Sequence, residues 1–139
     1  MIVVTGGAGF IGSATVWGLN KKGFFDIHIV DSLKDSEKWK NLVNLRFSDY
    51  EEKESFLKRI IYDDPLLKNS IDAIIHLGAC SSTTEKNASY LIENNYKYTQ
   101  VLCKWCLKNN KDFIYASSAA TYGDGSMGFS DNIENLPDL

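Results

Sequence analysis

Four glycines and one acidic residue downstream of them are the first residues in this sequence whose types and spacing could do chemistry. In TGGAGFIG, residues 5–12, Gly7, Gly9 and Gly12 satisfy G-x-G-x-x-G, with Gly6 beside them. Such glycines allow a tight turn, a close approach of backbone to a diphosphate, and close packing of the helix that follows on its strand. A helix opening at this point offers free N–H groups and partial positive charge to an anion. Asp31 stands 19 residues beyond Gly12, where a carboxylate would accept hydrogen bonds from an adenosine ribose. That charge speaks for NAD, because it repels a 2′-phosphate. Lys34 and Lys38 in DSLKDSEKWK could neutralise such a phosphate and admit NADP, so both cofactors stay open.

A second candidate is FIYASSAATYG, residues 113–123. It runs as an apolar strand and then breaks into small residues that leave the hydroxyls of Ser117 and Ser118 at the strand's carboxyl end. In an open α/β sheet ligands bind at that end, so the hydroxyl is either a cap on the next turn or part of an active site. A serine could orient a reacting hydroxyl, but its own pKa is too high to make it the base near neutral pH. The third motif, CKWC, holds Cys103 and Cys106. A redox pair belongs at a helix N-terminus, and this one falls late in a helical pattern. A zinc site would need two more ligands at matching spacing. Both cysteines are read as small buried thiols, and no metal is expected.

The elements that must position these residues alternate along the chain. Ile2–Val4 reads as a strand buried on both faces, followed by a helix from Phe10 to Lys22 closed by Gly23. A second strand, Ile27–Val30, ends at Asp31, and a third is expected at Leu42–Phe47. In SDYEEKESFLKRII, Ser48 and Asp49 with Glu51 and Glu52 predict a capping box opening a helix that stops before Pro65. Ala73–Leu77 is the fourth strand, 78–84 a small-residue loop, and Leu91, Tyr98, Val101 or Leu102, and Trp105 form the apolar stripe of a long helix. Asp112–Ser117 is the fifth strand. Strands alternating with helices predict right-handed βαβ units on a parallel sheet, an α/β Rossmann-like doubly wound fold broken off before completion. Residues 1–122 form the incomplete NAD(P)-binding domain, and 123–139 a loop or frayed end.

At 139 residues, 44% hydrophobic and 24% charged, the composition is that of one soluble globular domain. A net charge of −3 with scattered basic residues argues against a nucleic-acid or anionic-membrane surface. No apolar run approaches the roughly 18 to 20 residues of a bilayer span. Three cysteines and an N-terminus that enters a strand at once are read as a reduced, cytoplasmic protein.

TGGAGFIG, HLGACSSTTE (76–85), NNYKY (94–98) and YASSAATYG together resemble the extended short-chain dehydrogenase/reductases, which include epimerases and dehydratases of nucleotide sugars. GACSSTTE, NNY and DSLKD are similar in particular to the ADP-glyceromanno-heptose 6-epimerases. The resemblance implies NADP as the cofactor and conversion of ADP-D-glycero-D-manno-heptose to ADP-L-glycero-D-manno-heptose, for lipopolysaccharide core heptose, by transient oxidation. It also implies an ADP-heptose substrate and a homo-oligomeric complete enzyme. By the same resemblance Gly6, Gly7, Gly9, Phe10, Ile11 and Gly12 would line the diphosphate, Asp31 and Ser32 the ribose, and Lys38 the 2′-phosphate. Lys53 would be a further cofactor contact, Leu77, Gly78, Ala79, Cys80 and Ser81 would pass beneath the cofactor, and Asn94 would hold it from the long helix. Ser32 stands where asparagine is typical, and Leu77 where glutamate is.

Ser118 matches the serine that, in this group, hydrogen-bonds the substrate hydroxyl or ketone. The proton in that chemistry is moved by the tyrosine of a Tyr-x-x-x-Lys motif, and none of the seven tyrosines here has a lysine four residues on. In the group the motif follows the loop after the serine, so the sequence is read as the N-terminal part of such an enzyme without its substrate domain. Two other readings remain: a different nucleotide-sugar epimerase or dehydratase, and a dinucleotide-binding protein with no chemistry.

Overall fold

The computed structural model describes residues 1–130 and 132. Its strands are β1 (Ile2–Thr5), β2 (Ile27–Asp31), β3 (Asp49–Glu52), β4 (Ala73–His76) and β5 (Asp112–Tyr115). They form one parallel sheet in the order β3-β2-β1-β4-β5. Successive side chains of a strand point to opposite faces, and on the central strands both faces are covered. Val3, Val30 and Ile74 pack with Phe56, Ile60, Leu102 and Trp105 on one side, while Val4, Ile27 and Ile29 pack with Ala8, Val16 and Leu42 on the other. The central strands can therefore be apolar throughout. The helices are α1 (Phe10–Lys21), α2 (Lys53–Ile61), α3 (Pro65–Ser70) and α4 (Ala88–Leu91); α4 continues through a π-helical segment (Ile92–Lys97) into α5 (Tyr98–Asn109). From β1 the sheet grows toward β3 on one side and toward β5 on the other, which puts the switch point, where open α/β sheets bind ligands, at the carboxyl ends of β1 and β4.

The third strand is not where the sequence placed it. Residues 43–47 form no strand; a 3-10 turn (Glu37–Leu42) and the loop after it carry Leu42, Leu45 and Phe47 onto the α1 side of the core. The strand is Asp49–Glu52, in the segment read as a capping box. An edge strand needs no apolar face, and Glu51 instead accepts from Arg59 Nη1 at 2.9 Å and pairs with His28 Nε2 at 3.1 Å. The helix then starts at Lys53 with no side-chain cap. Pro65 begins a helix of its own, α3, capped by Asp64, whose Oδ1 accepts from the Leu66 N–H at 2.8 Å. α1 ends as expected near Gly23, whose φ is +86°.

The apolar stripe of the long helix is confirmed, with Tyr98, Leu102 and Trp105 buried and Leu91 only partly so. Cys106 lies fully inside, its thiol pushed up to about 12 by burial, and Cys103 is half-buried; both are free thiols. Residues 123–130 form turns without helix or strand, and 131 and 133–139 of the expected tail lie outside the described residues. Among the described residues no helix is long and apolar enough to cross a membrane.

Candidate functional site

β1 delivers the chain into the glycine loop under tight geometric constraint. Gly6 takes φ +68° and donates its N–H to the Val30 carbonyl at 2.7 Å. A Cβ there would lie 2.8 Å from the backbone of Leu77 and Gly78, so the loops after β1 and β4 touch through bare backbone. The loop closes on itself when the Gly9 N–H donates to Gly6 O at 3.0 Å, and Ser13 N–H donates to Gly9 O at 2.9 Å as α1 begins. A Cβ on Gly12 would sit 2.0 Å from Gly6 O. At Gly9 the same atom would meet only Gly6 O, at 3.2 Å, a tight contact but one with no other atom within 4 Å. No side chain caps α1 and no acidic residue stands in its first turn. Phe10 and Ile11 are exposed there. The free N–H groups and dipole of this end can take an anion.

Asp31 closes the site on the β2 side. It is buried, its Oδ2 accepts the Ala8 N–H at 2.9 Å, and its Oδ1 accepts from Ser32 N at 2.7 Å and from Lys38 Nζ at 2.5 Å. Asn41 Nδ2 donates to the Ala8 carbonyl at 2.8 Å, bracing the loop from outside. The 3-10 turn over Glu37–Leu42, capped by Ser36, brings Lys38 back onto β2. The carboxylate that speaks against a 2′-phosphate is thus already paired with a cation, one of the two lysines weighed for that purpose. The structure gives Lys34 a φ of +44° and no such pairing with Asp31.

The carboxyl end of β4 is held by a relay through buried His76. Gly78 N–H donates to Thr5 Oγ1 at 3.2 Å, and Thr5 Oγ1 lies 2.6 Å from His76 Nδ1. His76 Nε2 lies 2.8 Å from Thr99 Oγ1, which itself donates to the Asn95 carbonyl at 2.6 Å. Because the Thr99 hydroxyl proton is committed to that carbonyl, Nε2 must carry the imidazole proton and Nδ1 must accept from Thr5. The relay therefore specifies a neutral imidazole. Burial, with the Lys53 charge as a smaller contribution, lowers the His76 pKa from 6.5 to about 4. The unfolded chain then binds one more proton than the folded chain between those values. Stability is full above the unfolded pKa and falls as the pH drops toward the folded one, by roughly 3 kcal/mol in all. Urea unfolding at pH 7 and pH 4.5 should show most of that loss, and His76→Gln should flatten the slope over this window. An unchanged slope in the variant would remove His76 as its source.

Asn94 and Asn95 lie four and three residues before Tyr98, on the face that α5 turns to the sheet. Asn94 is buried, and its Oδ1 accepts from Lys53 Nζ, which lies 4.8 Å over the Tyr98 ring. Burial is the main cause of the lowered pKa of Lys53. Asn95 accepts from Cys80 N–H at 2.8 Å and donates to the Cys80 carbonyl at 3.0 Å. Leu77 N–H continues the β4 ladder onto Thr5 O, Gly78 abuts the glycine loop, and Ala79 and Ser81 are exposed.

Most of the residues singled out from the sequence thus gather at the carboxyl ends of the strands, and Ser118 follows the end of β5. Ser118 caps the 3-10 turn Ala119–Tyr122, its Oγ accepting from Ala120 N–H at 3.2 Å. The capping role posed for this stretch is the one observed, and it belongs to Ser118 rather than Ser117. The segment is tied to β4 by the Ala116 N–H bond to His76 O at 3.2 Å. Tyr122 packs edge-on against Phe129, ring centroids 5.6 Å apart. Asn41 and Thr99 were not singled out, and Thr5, His76 and Asn95 stood in quoted motifs without a role of their own. Extending the Tyr98, Leu102, Trp105 stripe one turn backward lands on Asn94 and Asn95, a signal that was present.

Strand order, glycine loop and switch point define a Rossmann-like α/β fold. The chain belongs to the NAD dependent epimerase/dehydratase family, whose model matches residues 2–138. It is 55% identical over 132 residues to the ADP-L-glycero-D-manno-heptose-6-epimerase of Nitratidesulfovibrio vulgaris, covering 95% of this chain and 40% of that protein. The chain thus spans about two fifths of the length of the curated relatives it matches. Among solved structures, the UDP-glucuronic acid 4-epimerase of Bacillus cereus in complex with NAD is 30% identical, with a TM-score of 0.72 over 94% of this chain and 44% of that one. The Helicobacter pylori ADP-L-glycero-D-manno-heptose-6-epimerase shares the fold, with a TM-score of 0.74 at 24% identity over 95% of this chain and 43% of that one.

Proposed function

We propose that this chain is the cofactor-binding portion of a nucleotide-sugar epimerase that interconverts ADP-D-glycero-D-manno-heptose and ADP-L-glycero-D-manno-heptose, for lipopolysaccharide core heptose, using NADP. The observation that carries the cofactor reading is the uncapped start of α1 above a glycine loop braced by Asp31, with Lys38 on the same carboxylate. The choice of sugar rests on the 55% identity to a heptose epimerase. When bound, the nicotinamide supplies a reversible hydride acceptor, so that a sugar carbon can be oxidised and reduced again with no net redox change.

The chain's own residues do the holding. The first N–H groups of α1 receive the diphosphate, Asp31 and Ser32 the adenosine ribose, and Lys38 the 2′-phosphate. Gly78 to Ser81, Lys53 and Asn94 receive the nicotinamide half. Ser118 orients the reacting hydroxyl of the sugar. Proton transfer falls to a Tyr-x-x-x-Lys motif, which these 139 residues do not contain.

Calorimetric titration with NADPH and NADH tests the cofactor reading directly. Lys38→Ala should weaken NADPH more than NADH by roughly 1 kcal/mol, the scale of one partly exposed charge-assisted hydrogen bond. Equal losses for both would return Lys38 to a surface role. The 139 residues alone should not turn over ADP-heptose, whereas a chain extended to the relatives' length should; turnover by the 139 residues would show that the proton-transfer group has been misplaced.

A further inference from the structure

We infer that Asn95 is a positioning residue that sets the shape of the loop after β4, and thereby the bed for the nicotinamide half of the cofactor. The inference rests on the cofactor reading above and deepens it at one residue. Asn95 is half-buried, and its amide makes a two-point bond with the backbone of Cys80, accepting the N–H at 2.8 Å and donating to the carbonyl at 3.0 Å. Asn94 Nδ2 donates to the same Asn95 oxygen at 2.9 Å, which fixes the orientation of the amide. The Asn95 carbonyl is in turn the end of the relay that starts two residues before Cys80, at Gly78, and passes through Thr5, His76 and Thr99. The bonds close a ring: Gly78 to Thr5, His76, Thr99, the Asn95 backbone, the Asn95 side chain, and back to Cys80.

The small side chains of 78–84 give that loop little packing of its own to hold it. Ala79 and Ser81 are exposed, so the backbone of Gly78 and Cys80 is where the loop can be anchored. The ring anchors it at both points, from β1 and β4 on one side and from the π-helical segment on the other. π turns recur at functional sites, and Ile92–Lys97 is the segment that carries both asparagines. The asparagine amide supplies one acceptor and one donor, which meet the N–H and the carbonyl of one residue, Cys80. Aspartate would keep the N–H bond and set a charge against the Cys80 carbonyl.

The test compares two ligands on the full chain and its Asn95→Ala and Asn95→Asp variants. NADPH spans the whole site, whereas adenosine 2′,5′-bisphosphate occupies only the β2 side, at Asp31 and Lys38. Losing two side-chain-to-backbone bonds should weaken NADPH by about tenfold or more while leaving the bisphosphate within about twofold. Amide exchange at Cys80 should accelerate in Asn95→Ala, which loses the acceptor of that N–H, relative to exchange in β1. Should Asn95→Ala fail to fold, the nearly isosteric Asn95→Asp carries the same comparison. Equal weakening of both ligands would mean general destabilisation and overturn the inference, as would NADPH binding unchanged from wild type. If the wild-type chain binds neither ligand, the cofactor reading itself falls, an outcome distinct from either.

Discussion

Gly12→Ala is expected to lower stability by about 3 kcal/mol, on the order of 10 °C in melting temperature, and to abolish dinucleotide binding with it. The added Cβ would lie 2.0 Å from the Gly6 carbonyl oxygen and 2.8 Å from Gly7 Cα, contacts no side-chain rotation can relieve because every atom involved is backbone. Either α1 moves off β1 or the loop opens. Opening the loop breaks the Gly9-to-Gly6 bond and the Ala8-to-Asp31 bond, and uncovers Val16 and Ala8 from the core. Gly9 is the control, since its Cβ would touch only Gly6 O, at 3.2 Å. Gly9→Val should therefore fold and melt near wild type while losing NADPH, because its side chain fills the space above the loop. Thermal melts and titrations of the two variants side by side check the pair. Wild-type affinity for NADPH in Gly9→Val would place the cofactor elsewhere, and a wild-type melting temperature in Gly12→Ala would contradict the packing.

In a chain extended to the relatives' length, Ser118→Ala is expected to lower kcat for ADP-heptose by roughly 10- to 1,000-fold, the loss of one preorganised hydrogen bond to a developing charge. KM should change much less if the bond strengthens only as the sugar hydroxyl gives up its proton. Ser118 also caps the Ala119–Tyr122 turn, so the variant loses that bond too. Ser118→Asn separates the two roles: asparagine caps as well as serine but places its polar atoms differently. Activity restored by asparagine would leave Ser118 a cap only. Loss in both variants, with melting lowered in alanine alone, would assign it to the reacting hydroxyl. The measurement is a steady-state rate with both substrate epimers.

Much of the binding edge was legible because it depends on local rules. A glycine at position 12 answers a steric demand within one βαβ unit, and Asp31 follows from where β2 must end; both are set by spacing along the chain. The apolar runs of β1, β2 and β4 announce strands covered on two faces, and the stripe of α5 announces its buried side. Family motifs extended that reading to Lys38 and Asn94, which the structure puts at Asp31 and Lys53 respectively.

Tertiary structure alone decided the rest, for identifiable reasons. Leu42, Leu45 and Phe47 are apolar because they pack on the α1 side of the core, not because they form a strand, and β3 is polar because an edge strand can satisfy its charges with His28 and Arg59. Local pattern cannot distinguish an apolar lid from an apolar strand. The hydrogen-bond ring through Thr5, His76, Thr99 and Asn95 joins residues up to 94 apart in sequence, counted from Thr5 to Thr99, and each looks ordinary alone. Chain spacing determined the glycine turn and the end of β2; the juxtaposition of β1, β4 and the π-helical segment decided what holds the loop after β4, because a hydrogen bond depends on distance in space and not along the chain.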